Sequence, residues 1–258
     1  MVANKIIKLS SEPENFGAIE DKLDSDNFVG RVPTQHTHLN YENDDQGIYV
    51  GVWDTNDMVE ASAKYPCDEF MYVIDGKVEI RNTQTNKIEI VSQGESFIIP
   101  RGYDCQWIQK GYLRKFFFIF EKNHFCSESS IQNSAIINLS NLNQASRTGH
   151  NHRLKFVHES PKQVEFVYYE NSDKTFVSGI WKSAPFRSYL APHPVSEFVC
   201  VTQGQLSLFD EQGIRTLFEL GDVFYVPQGA VCYWQAALPI ELNFAFHQTS
   251  ITRGLENE

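Results

Sequence analysis

Glu69-Phe70-Met71-Tyr72-Val73-Ile74-Asp75-Gly76 returns 128 residues later as Glu197-Phe198-Val199-Cys200-Val201-Thr202-Gln203-Gly204. The same offset carries Gly51, Trp53, Ala63 and Pro66 onto Gly179, Trp181, Ala191 and Pro194. After a one-residue deletion the offset is 127, and Gly94, Phe97, Pro100, Gly102, Cys105 and Trp107 reappear as Gly221, Phe224, Pro227, Gly229, Cys232 and Trp234. Upstream, Tyr41-Glu42-Asn43 matches Tyr169-Glu170-Asn171, and Ile6-Ile7-x-Leu9-Ser10 matches Ile136-Ile137-x-Leu139-Ser140 at an offset of 130. Self-similarity at a nearly fixed period means two copies of one folding unit. Each candidate functional residue therefore has an internal control, its counterpart in the other copy.

Working outward, the repeat divides the 258 residues into an N-terminal unit (1–121), a polar Ser/Asn-rich connector (122–134) and a C-terminal unit (135–258). Short apolar runs bounded by turns are strand grammar. Asp75-Gly76 between two such runs suits a type I′ hairpin turn. Gly94-Glu95 and Gly221-Asp222 feed strands at Ser96–Ile99 and Val223–Val226, each stopped by a proline, and Phe116–Phe120 and Leu242–Phe246 close the units. No stretch reads as a convincing helix. Many short strands with Gly/Pro turns point to an all-β fold, and a jelly roll is the expected form.

The formal net charge is −11, with no long basic run, which argues against nucleic acid or an anionic membrane as partner. No apolar stretch reaches the roughly 20 residues of a membrane span. The start of the chain lacks a signal-peptide core, so a cytoplasmic location is expected. Five cysteines without a CxxC pair are expected to be free thiols in a reducing compartment.

Two spacings are specific in each copy: Glu-x6-Gly, and Gly-x5-Pro-x-Gly-x2-Cys. They resemble the two motifs of the cupin superfamily, and two copies resemble a bicupin built of tandem RmlC-like jelly-roll β-barrels. The tryptophans sixteen residues before each Glu (Trp53, Trp181) and two after each Cys (Trp107, Trp234) bring it closest to one branch, that of ethanolamine-utilisation and ureidoglycine aminohydrolase-like cupins. In metal-binding cupins the first motif carries His-x-His shortly before the Glu, and the second supplies a third His. Ala63, Tyr65 and Cys105 stand at those places in copy one, so no metal is expected beside Glu69.

Copy two keeps His193 and Glu197, with Ala191 and Cys232 at the other positions. On a straight strand four residues would hold His193 and Glu197 about 13 Å apart, so shared ligation needs a bend, which Pro192 and Pro194 favour. A His193/Glu197/Cys232 set with an open position suits a divalent zinc, iron or manganese ion. Against this stands a simpler reading, in which Glu197 is an inward carboxylate held by hydrogen bonds or an arginine. Cys232 is then a small buried residue, and Cys105 and Cys232 share an inward face with Trp107 and Trp234.

Three functions follow from these residues. The first is a binding module or metal-free enzyme that holds a small polar metabolite in the C-terminal barrel through His193, Glu197, Cys232, Tyr233 and Trp234, with the N-terminal barrel mainly structural. The alternative is a metal-dependent enzyme of the ureidoglycine aminohydrolase or dioxygenase kind, using His193, Glu197 and Cys232 as ligands. A structural or regulatory partner protein is the third. On each reading the chain is expected to be a monomer or a homodimer. His36 and His38, followed by Glu42, mimic the opening of the metal motif by spacing, but the repeat assigns Glu42 elsewhere.

Overall fold

The computed structural model describes residues 5–121, 137–139, 145 and 147–249, so the expected connector lies outside the described residues. Within them the chain forms 23 strands and a single 3-10 turn at Ser25–Asn27. All pairings are antiparallel.

Each half is a large sheet rolled against a small one. In the first half the large sheet runs Ile137–Asn138, Ser96–Ile99, Asp68–Asp75, Leu113–Phe120, Ile48–Thr55, Gln35–Asn43. The small sheet runs Met58–Val59, Asp104–Gln109, Lys77–Asn82, Ile88–Ser92. The second half repeats this order with Val223–Val226, Ser196–Gln203, Ile240–His247, Phe176–Ser183 and Gln163–Glu170 in its large sheet. Registers agree residue for residue: Glu69 lies opposite Ile99 and Ile119, and Glu197 opposite their counterparts Val226 and Phe246. The strands expected at Ser96–Ile99 and Val223–Val226 occur with those bounds.

The Asp75-Gly76 hairpin does not form. Asp68–Asp75 pairs within the large sheet, whereas Lys77–Asn82 pairs within the small one. Gly76, at φ 82°, is the corner where the chain changes sheets, and a Cβ there would stand 2.2 Å from the Tyr112 carbonyl oxygen. Gly204 turns the same corner in the second half, with Pro239 O at 2.6 Å. Asp-Gly supplied the positive φ for a corner as readily as for a hairpin, and local sequence does not distinguish them.

Side-chain parity along the first-motif strand explains three separate cores. Met71 and Val73 point into the first barrel, packing with Val78, Ile80, Phe97 and Trp107. Val199 and Val201 do the same in the second with Phe224 and Trp234. Phe70 and Phe198, with the opposite parity, meet each other at 5.5 Å between ring centroids, in a third core where the two large sheets pack back to back. Phe118 stacks on Phe198, and Phe120 on Phe176.

The leader strands are exchanged. Ile7–Lys8, at the start of the first half, adds to Val223–Val226 of the second, with Ile7 opposite Tyr225. Ile137–Asn138, ahead of the second half, adds to Ser96–Ile99 of the first, with Ile137 opposite Ile98. The continuation is equally matched: Leu9 N–H donates to Val223 O (2.9 Å), and Leu139 N–H to Ser96 O (3.1 Å).

Candidate functional site

The chain leaves the small sheet at Ala191–Pro192 and enters the large sheet at Ser196, and the turn between them carries His193 back over Glu197. The bend that Pro192 and Pro194 favour is present, and His193 Nε2 lies 2.8 Å from Glu197 Oε2. Arg153 Nε donates to Glu197 Oε1 at 3.0 Å, while its Nη1 donates to Glu165 Oε2 at 2.8 Å. The guanidinium carbon sits 4.4 and 4.6 Å from the Phe244 and Phe246 ring centroids. Burial alone would push the Glu197 carboxyl up, but the Arg153 charge and the His193 hydrogen bond outweigh it and hold it below its ordinary value. Arg153, equally buried, is raised by Glu197 and Glu165.

Around this pair, His193 stacks on Trp234 at 5.5 Å with planes 13° apart. Cys232 lies on the same inward face, and burial pushes its thiol up to about 11, so it carries no reactive thiolate. Tyr233 has the opposite parity: it stacks on Phe209 at 4.4 Å, under the Arg187 guanidinium, on the outer face of the small sheet. Four of the five residues singled out thus converge, and Tyr233 does not.

The first barrel builds an analogous cluster from other parts. Lys115 Nζ lies 2.7 Å from Glu69 Oε1 and over both Trp53 and Trp107, 4.8 and 4.9 Å from their centroids. Tyr65, matched to His193, donates its hydroxyl to Glu69 Oε2. Cys105 is buried beside them, its thiol pushed up to about 12 by desolvation. The four described cysteines are all free.

Neither cation was singled out from the sequence. Arg153 belongs to no motif, and its counterpart Ser25 lies in the exposed 3-10 turn. Lys115 did leave a signal, a charge among the otherwise apolar inward positions Leu113, Phe117 and Ile119 of its strand, where the second half has Leu242. His36 is paired instead with Asp54 at 2.7 Å, and Asp54 also accepts from the Tyr112 hydroxyl.

A divalent ion does not fit this donor set. Both Glu197 oxygens are engaged, and zinc would need to stand about 2.0–2.2 Å from Glu and His ligands. With the guanidinium about 4 Å away, repulsion would be on the order of 8 kcal/mol at an effective dielectric constant near 20. Among the described residues no group of three or more His, Cys, Asp or Glu side chains is arranged to hold a metal.

Two jelly-roll barrels in tandem, each with its motif glutamate on the inner wall, define a bicupin. The EutQ-like cupin domain model matches residues 42–117 and again 170–242, and the chain belongs to that family. No curated protein matches it. Among solved structures, a protein of unknown function from Pseudomonas syringae pv. tomato is 20% identical, covering 94% of this chain and 99% of its own, with a TM-score of 0.71. A putative glyoxylate-induced protein from Pseudomonas aeruginosa is 10% identical over 100% of this chain and 92% of its own (TM-score 0.59). YlbA from E. coli is 11% identical over 98% and 94% (TM-score 0.57). At these identities the likeness is one of fold. No helix among the described residues is long and apolar enough to cross a membrane.

Proposed function

We propose that this bicupin binds a small polar molecule without a metal ion, in the C-terminal barrel, against Arg153, His193, Glu197, Cys232 and Trp234. The observation that carries the reading is the Arg153–Glu197 pair, in which an internal cation takes the charge-balancing role that a metal would have beside the motif carboxylate. Arg153 Nη2 supports it further: buried, it has no hydrogen-bond partner among the described residues. A buried donor of this kind calls for an acceptor. With Glu165 and Glu197 already offsetting the guanidinium, the fitting partner is an uncharged hydroxyl or carbonyl oxygen, not an anion. Arg153 would orient that oxygen, and the His193–Trp234 stack would form a flat apolar wall.

Metal analysis of protein purified without chelator tests this directly. Substoichiometric metal is expected in wild type and in His193→Ala alike. Stoichiometric zinc, iron or manganese that disappears in His193→Ala would replace this reading with the metal-dependent one.

A further inference from the structure

Matched positions in the two barrels differ in access. Trp181, Ser188 and His193 of the second barrel are 1%, 2% and 3% exposed. Their counterparts Trp53, Glu60 and Tyr65 are only partly buried. The cause is the segment ahead of each large sheet. In the second half it lays Asn151 and Leu154 down as buried residues and sets Phe156 against Phe186 at 5.5 Å. In the first half the same segment passes through the exposed turn Ser25–Asn27 and rejoins the barrel only at Phe28, bridged to Glu60 as Phe156 is to Ser188.

At this more open mouth stands Glu60. Its backbone is fixed: the N–H donates to Trp107 O (2.9 Å), and the carbonyl accepts from Gln106 Nε2 (2.9 Å). Its carboxylate makes no hydrogen bond or close ion pair with any described residue, although it feels the charges of Lys115 and Glu69. Lys115 does not neutralise it, because that ammonium is already bound to Glu69 at 2.7 Å. The interior therefore holds one cation against two carboxylates. Two indole faces already accommodate one ammonium here, that of Lys115, so the environment suits another.

We propose that the mouth of the first barrel is a second binding site, taking a small organic ammonium ion with Glu60 as its counter-ion. This goes beyond the ligand proposed for the second barrel and does not depend on it. Burial raises the Glu60 carboxyl to about 7, with Lys115 pulling it down and Glu69 pushing it up. Tyr65 and Cys105, the other titratable groups that feel its charge, are themselves raised by burial. Cation binding then competes with a proton on Glu60, and affinity rises with pH through neutrality.

The test uses the full chain and three probes of similar size: propylammonium, propionamide and propionate. Binding is followed by NMR shifts of the tryptophan indole signals and by calorimetry at pH 6 and pH 8. Propylammonium alone is expected to bind, about tenfold tighter at pH 8, with shifts concentrated on Trp53 and Trp107. Glu60→Gln is expected to weaken it about tenfold or more and to remove the pH dependence. Preference for either other probe, unchanged affinity in Glu60→Gln, shifts scattered over the acidic surface, or no binding at tens of millimolar would overturn the proposal. The wild-type pH dependence decides by itself should the variant fail to fold.

Discussion

Arg153 joins two buried carboxylates, and the physics of such a group is lopsided. Replacing a whole buried ion pair by apolar groups is often neutral, whereas removing one partner leaves an uncompensated charge and costs about 3–5 kcal/mol. Arg153→Met should therefore lower the urea midpoint by that order of free energy, and adding Glu165→Gln and Glu197→Gln should recover part of it. His247 gives a second residue-scale expectation. It packs on Phe120 with ring centroids 4.4 Å apart, and burial holds its pKa down to about 4. A histidine depressed in the folded state contributes stability that is full above its ordinary pKa of about 6.5 and is lost as pH falls towards 4. The loss is on the order of 3 kcal/mol at most. Unfolding free energies measured from pH 7 to pH 4 should fall less steeply in His247→Phe, the residue its counterpart Phe120 already is. Glu60 acts in the opposite sense: its raised pKa removes stability as pH climbs from about 4.5 to 7, a loss that Glu60→Gln should abolish.

At the scale of elements, the exchanged leader strands separate the order of the chain from the order of the fold. Ile7–Lys8 protects the edge of a sheet whose other strands lie more than 130 residues away in sequence. An unpaired edge exposes a row of backbone donors and acceptors. Deleting residues 1–9 should accelerate amide hydrogen exchange in Val223–Val226 of the second half while leaving Ser96–Ile99 of the first protected, because that edge is covered by Ile137–Asn138. If the N-terminal unit instead behaved as a self-contained barrel, exchange would rise within the first half.

For the whole molecule the decisive element is the third core. Phe70, Phe118, Phe176, Phe198 and Tyr225 are all fully buried between the large sheets, where Tyr169 also reaches across to donate to Asp68 at 2.6 Å. Expressed alone, fragments 1–121 and 135–258 would each present this aromatic face to water and lack the partner's leader strand. Each is expected to aggregate, and their co-expression to yield one soluble complex, checked by size exclusion. Two fragments each soluble and monodisperse would show that the halves are independent after all.

The repeat alone determined that there are two copies of one all-β unit, where the strands at the motifs and at the close of each unit lie, and that Glu69 and Glu197 occupy matched places. Short apolar runs and turn residues are local properties, and a duplicated pattern reports them twice. The continuous apolar character of Phe70–Ile74 also followed from its neighbours along the chain, though not its meaning, a sheet covered on both faces. What only the tertiary structure decided is which charge answers each motif carboxylate, that Asp75-Gly76 is a corner and that the leaders change places. Lys115 and Arg153 reach equivalent positions from unrelated segments, one a closing strand and the other a loop. Electrostatic compensation acts through space and constrains no particular spacing in sequence.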